Sequence, residues 1–407
     1  MAVAWIGNRE ASLAHAVEEA ALLLEASKCP VILLDTDIHG TRASVALAEQ
    51  IGAVYDVADG GSSAVEAALI MDRGAMTIAP GEVRRRADML VFVGPVPEQH
   101  VPLVGDLASS APDLSGGGAR KLFAIGGTSK RGLPDNTVPV NSSRTGLPET
   151  LAAIRASMAG KSMVGKFANF EMFVAALAAA IFPVFIYSGE AGLPALEMLQ
   201  GLVADLNKTK RASTLHLAGS DNGWGAVLAS TWMTGFAPRT SFARGFPEFD
   251  PWRFDVERMI AAGEADLVLS VGSIVHFDIP TPNPSPQGGR ALGDRNASAK
   301  PQSSSQAAIQ PASPSPLRGG VRGGDISQNT AQPAALTRIA LASGFKPVPG
   351  SAITISIGTP GIDNDTVGYS VRLGTIVASR ASAPSDLPSA ATILRLLHER
   401  LRGKAAA

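Results

Sequence analysis

The sequence has 407 residues, of which 45% are hydrophobic, 17% charged and 5% aromatic; the formal net charge is −1 and there is one cysteine, Cys29. That length suggests more than one domain and buries most of its apolar surface without covalent staples. The near-zero charge excludes a general attraction to nucleic acid or anionic membrane, and a single thiol excludes an internal disulfide, a CxxC pair and a four-thiolate zinc site.

The opening residues show no basic stretch running into an apolar one, so a signal peptide is not expected. Ser12 caps a predicted helix in which Leu13, Ala16, Val17, Ala20, Ala21 and Leu24 recur at helical spacing. Pro30 to Asp35 is a continuous apolar run of the kind buried on both faces of a parallel sheet. Gly40 marks a turn into a helix over Thr41–Ile51, and Ala53–Val57 is the next strand; strand, helix and strand in about thirty residues make a βαβ unit. Further strands are predicted over Met76–Ala79, Met89–Val93 and Leu122–Ile125. The most apolar run, Met172 to Tyr187, is broken by Pro183 and is shorter than the ~20 residues of a membrane span. It reads as a helix end followed by the strand Pro183–Tyr187, and the chain is expected to be soluble and cytoplasmic.

After residue 160 the pattern restarts, with a helix over Leu193–Leu206 and strands over Thr214–Leu217 and Leu267–Val271. Ala87–Gly94 and Ala265–Gly272 read as copies, each with Ala-Asp ahead of an apolar strand and Gly just after it. Two related, doubly wound, mostly parallel Rossmann-like α/β units are therefore expected, over residues 1–160 and 161–280. Residues 281–332 are rich in Pro, Ser and Gly and poor in large apolar side chains. Ordering a backbone costs ~1–2 kcal/mol per residue, which such a segment cannot offset, so a disordered insert is predicted. Residues 333–407 complete the fold with a helix near Ala335–Ser343, a strand over Ile353–Ile357, a hairpin over Tyr369–Ser379 and a helix over Ala390–Leu401.

Several motifs suggest chemistry. Gly60-x-Ser62-x-Ala64 imitates the strand–turn–helix elbow of a serine hydrolase but lacks its final glycine. Ser63 and Glu66 give the stronger reading, a Ser-x-x-Glu capping box. Gly127 and Gly132 have phosphate-loop spacing, but Leu133 stands in place of the lysine. The histidines His15, His39, His100, His216, His276 and His398 show no ligand spacing and read as ordinary surface or core residues. Asp363-Asn-Asp365 starts like a calcium loop, but Val367 occupies the third ligand position, and the segment reads as a turn.

Thr231-Trp-Met-Thr-Gly-Phe236, followed by Ser241-Phe-Ala-Arg-Gly-Phe-Pro-Glu-Phe-Asp-Pro251, resembles a signature of the formylmethanofuran dehydrogenase B subunit, a molybdopterin-oxidoreductase-type protein. Gly81-Glu-Val-Arg-Arg-Arg-Ala-Asp88 and Gly358-Thr-Pro-Gly-Ile-Asp363 are similar to further segments of that family, in the same order. The redox-active members open with a cysteine-rich segment that holds a [4Fe-4S] cluster through four thiolates. They bind tungsten or molybdenum through cysteine or selenocysteine just after the strand that matches Ala53–Val57. This sequence begins where the cluster segment would end, and Ser62 and Ser63 stand at the ligand position.

The resemblance thus implies that metal–pterin and cluster are both lost, so no cofactor is expected. This combination resembles the B subunits of bacterial formyltransferase/hydrolase complexes. There, the resemblance implies, a D subunit moves a formyl group from formyl-tetrahydromethanopterin to a methanofuran-like carrier, an A subunit releases formate, and B and C are scaffold. The expected function is a non-catalytic structural subunit in methylotrophic one-carbon metabolism, with A, C and D subunits as partners and neither nucleic acid nor membrane. The alternatives are a working tungsten- or molybdenum-pterin subunit with Ser62 as ligand, a hydrolase using Ser62, and a nucleotide-binding module. In the signature loop (Trp232, Gly235, Arg244, Gly245, Pro247), Trp232 and Arg244 are expected to hold the loop rather than line a cleft.

Overall fold

The computed structural model describes residues 3–58, 60–126, 132–140, 146–161, 168–272 and 336–405. The expected insert, 281–332, lies outside the described residues, as does most of the Gly127–Gly132 loop.

Strands β1 (Ala4–Ile6) and β2 (Arg9–Glu10) pair as a hairpin, and Ser12 then caps α1 (Leu13–Ala26) by accepting the His15 N–H at 3.2 Å. Next come β3 (Pro30–Asp35), α2 (Ile38–Ile51) and β4 (Val54–Val57). Helix α2 begins at Ile38 rather than Thr41 because Asp37 is its N-cap, its carboxylate accepting the Gly40 N–H at 2.8 Å. The middle of the chain holds α3 (Gly61–Arg73), α4 (Pro80–Arg86), β5 (Met89–Val93), α5 (Val101–Ser109), β6 (Lys121–Ile125) and β7 (Val138–Val140). It continues with α6 (Leu147–Met158), α7 (Phe170–Ala179), β8 (Pro183–Tyr187), α8 (Leu193–Leu206), β9 (Ser213–His216) and α9 (Asp221–Thr234). Then come β10 (Thr240–Ser241), β11 (Glu248–Phe249), α10 (Val256–Ala261), β12 (Leu267–Gly272), β13 (Thr337–Ser343) and β14 (Ile353–Ile357). The hairpin β15 (Thr366–Ser370) and β16 (Thr375–Ser379) precedes the final helix α11 (Ala390–Ala405).

The architecture is mixed α/β with two mostly parallel sheets. The larger has the order β11-β10-β4-β3-β12-β13-β14-β1-β2, with β4 to β14 parallel and short antiparallel strands at both edges. The smaller, β7-β6-β5-β8-β9, is parallel throughout. Strands β5, β8, β12 and β14 are buried at every residue, and β5 and β8 accordingly appear in the sequence as unbroken apolar runs. Residue 160 does not separate the sheets: β5 to β7 precede it and β8 and β9 follow it in the same sheet.

The paired Ala-Asp segments have equivalent places. Strands β5 and β12 each lie at the centre of their sheet. Asp88 accepts the N–H groups of Ile181 and Phe182, both at 2.8 Å, just ahead of Pro183 in β8. Asp266 accepts those of Lys28 and Cys29, at 2.7 and 3.0 Å, just ahead of Pro30 in β3. Each aspartate thus sets the register of the neighbouring parallel strand. The closing glycine is needed at β12, where Gly272 has φ +110 and a Cβ would lie 1.7 Å from the Asp35 carbonyl oxygen.

Two predicted elements are corrected. Met76–Ala79 forms only a single bridge, Thr77 to Thr214, rather than a strand. The helix expected near Ala335–Ser343 is strand β13, inserted between β12 and β14. Its buried centre, Ile339 to Ala342, is a short apolar run that periodicity cannot assign. Among the described residues no helix is long and apolar enough to cross a membrane.

Candidate functional site

From β4 the chain turns through Gly60 into α3. The turn is tight: a Cβ on Gly60 would sit 2.7 Å from the Val57 carbonyl oxygen. Gly60 is the N-cap and supplies no side-chain capping bond. The backbone of Ser62 lies inside the helix, past its first residue Gly61, rather than on the strand–helix turn as in a hydrolase elbow. Nor is the predicted capping box formed. Ser63 is buried in the first turn, while Glu66 turns into the core, where it accepts the Tyr187 hydroxyl and its Oε2 stands 2.6 Å from His216 Nε2. A buried carboxylate needs such partners more than the helix start needs a cap, which solvent can satisfy.

Beneath the turn lies a second buried ionic group. Asp56, 2% exposed, meets Arg239, whose Nε lies 3.1 Å from Asp56 Oδ2 and whose Nη2 lies 2.8 Å from Asp255 Oδ2. Asp56 also accepts the backbone N–H groups of Val57 at 2.7 Å and Val256 at 3.4 Å. Burial pushes the Asp56 carboxyl up to about 7, against the opposing pull of Arg239. Arg239 Nη2 would lie 3.7 Å from a Cβ on Gly61, so this guanidinium underlies the start of α3.

Arg239 is delivered by the signature loop. Gly235, with φ +82, ends α9, and its N–H reaches the Thr231 carbonyl. The Ser230 hydroxyl, bonded to Tyr55 at 2.7 Å, donates to the Phe236 carbonyl. Strand β10 then pairs with β4, and Phe242 stacks on Tyr55 with ring centroids 6.2 Å apart. Gly245, with φ +81, and Pro247 lie in the β10–β11 connection. Arg244 pairs with Glu248 across it at 3.2 Å, and Trp232 is 57% exposed on α9. The residues that point inward are thus Arg239 and Phe242, while Trp232 and Arg244 lie on the outside.

The search against family models finds no match. The B subunit of the formyltransferase/hydrolase complex Fhc of Methylorubrum extorquens is 38% identical over 285 residues, covering 69% of this chain and 76% of that protein. The chain belongs to this B-subunit family. The B subunit of the tungsten-containing formylmethanofuran dehydrogenase 2 of Methanocaldococcus jannaschii is a more distant relative, 26% identical over 63% of each chain. Among solved structures, a chain of the Methylorubrum extorquens FhcABCD complex, crystallised with methylofuran, matches with a TM-score of 0.77 and 31% identity. That match covers 99% of this chain and all of the other.

The donor set of this B-subunit family member does not fit a four-thiolate cluster. Cys29 is the sequence's one cysteine, and its thiol is pushed up by burial first and then by the charges of Asp266 and Glu264. A thiol held protonated is a poor metal ligand. Among the described residues no group of three His, Cys, Asp or Glu is arranged to hold a metal. The Asp363–Asp365 segment is a turn, as expected: Asp363 accepts the Thr359 N–H and Asp365 the Ala381 N–H, both at 2.8 Å. Two pairings that sequence reasoning misses are Glu66 with His216 and Asp56 with Arg239. Their signal is a charged residue set in, or just after, a fully apolar run.

Proposed function

We propose that this B subunit is a non-catalytic structural component of a cytoplasmic formyltransferase/hydrolase complex that converts formyl-tetrahydromethanopterin to formate, assembled with A, C and D subunits. The observation that carries this reading is the end-to-end match to a chain of the FhcABCD complex. The position matching the family's metal ligand holds Ser62 and Ser63, and a single cysteine cannot supply a cluster, which supports a chain that carries neither metal–pterin nor [4Fe-4S]. The strand orders support the finer fold assignment. Numbered along the chain, the parallel core of the larger sheet runs 2-1-3-4-5 and the smaller sheet 3-2-1-4-5, the orders of doubly wound Rossmann-like units. Such units suit the molybdopterin-oxidoreductase type of fold.

The test is elemental analysis of the purified complex for tungsten, molybdenum and iron, run beside a formate-release assay on wild type and Ser62→Ala. Formate release without stoichiometric metal, unchanged in the variant, is expected. Tungsten or molybdenum near one per chain, or loss of formate release in Ser62→Ala, would replace this reading with a working metal–pterin subunit or a serine hydrolase.

A further inference from the structure

We draw no further inference here: the strongest candidate, the cavity of about 640 Å³ between the start of α5, the N-terminus of α9 and the turn of the β15–β16 hairpin, offers an anion only that helix N-terminus beside the exposed Arg372, and its one buried polar side chain, His100, is already bonded to the Ala218 carbonyl, so no second observation points to a ligand.

Discussion

Replacing Arg239 with Met keeps the aliphatic stem but removes the charge that joins Asp56 to Asp255. Breaking a buried ion pair from one side costs ~3–5 kcal/mol because the remaining charge is left uncompensated. Asp255, about a quarter exposed, recovers water, whereas Asp56 does not, so a loss near ~3 kcal/mol is expected. The size of the loss depends on pH. The folded Asp56 carboxyl is raised from 3.8 to about 7, so its contribution to stability is present below the unfolded value and lost as pH climbs through the folded one. Without Arg239 the folded value rises further, and the variant goes on losing stability above pH 7. The deficit should therefore be small near pH ~5.5, where Asp56 is protonated in both proteins, and largest near pH ~8.5.

Hydrogen exchange on the assembled complex reads this locally. The amides to follow are those of residue 239, bonded to the Tyr55 carbonyl at 2.9 Å, and of Phe242, bonded to Ala53 at 3.1 Å. A loss of ~3 kcal/mol makes them exchange roughly 150-fold faster after correction for intrinsic rates. Acceleration below about threefold, or one that is the same at both pH values after that correction, would show that the ion group does not hold the loop to β4.

Two further substitutions test the frame around the site. Gly272→Ala should destabilise by at least ~3 kcal/mol, because β3 and β12 must part at their carboxyl ends to admit the methyl. Soluble yield and melting temperature check this, and a near-native melt would show that the strands separate easily. Arg120→Met should cost ~2–4 kcal/mol, since its guanidinium donates to the carbonyls of Val83, Arg84, Ala87 and Leu107 at the ends of α4 and α5. Thermal melts of the variant complex measure it, and an unchanged midpoint would mean that water replaces those bonds.

Much of the fold was legible because the central strands carry their own signal. Met89–Val93 and Pro183–Tyr187, and Pro30–Asp35 up to its last residue, are apolar on both faces, a pattern that few helices of that length share, whereas Ile353–Ile357 alternates Ile with Thr354 and Ser356. Strand β13 was not legible, because Ala and Leu at its centre suit a helix as well and only its neighbours decide. The buried ionic groups were hidden for a different reason. Asp56 and Arg239 are 183 positions apart, and Glu66 and Tyr187 are 121 apart, so no spacing rule links them. The only local mark of Asp56 is a charge between Tyr55 and Val57 in a strand buried at every residue, and a buried charge requires a partner somewhere. The signature segment marked the loop that supplies that partner, but nothing in its residue order tells which arginine turns inward.

The way the chain divides between the sheets sets an order of assembly during synthesis. The smaller sheet is complete once residue 216 has left the ribosome, as all five of its strands lie between residues 89 and 216. Strands β3 and β4 are made earlier but must wait for β12 to β14, and the bond that fixes the register of β3, from the Cys29 N–H to Asp266, spans 237 positions. Until the C-terminal third arrives, β3 presents an apolar, unpaired flank, and pairings of such long range form slowly. A nascent or truncated chain ending before β12 is therefore a half-built sheet beside a finished one. Chaperone demand and aggregation should track the supply of the last 140 or so residues rather than the first.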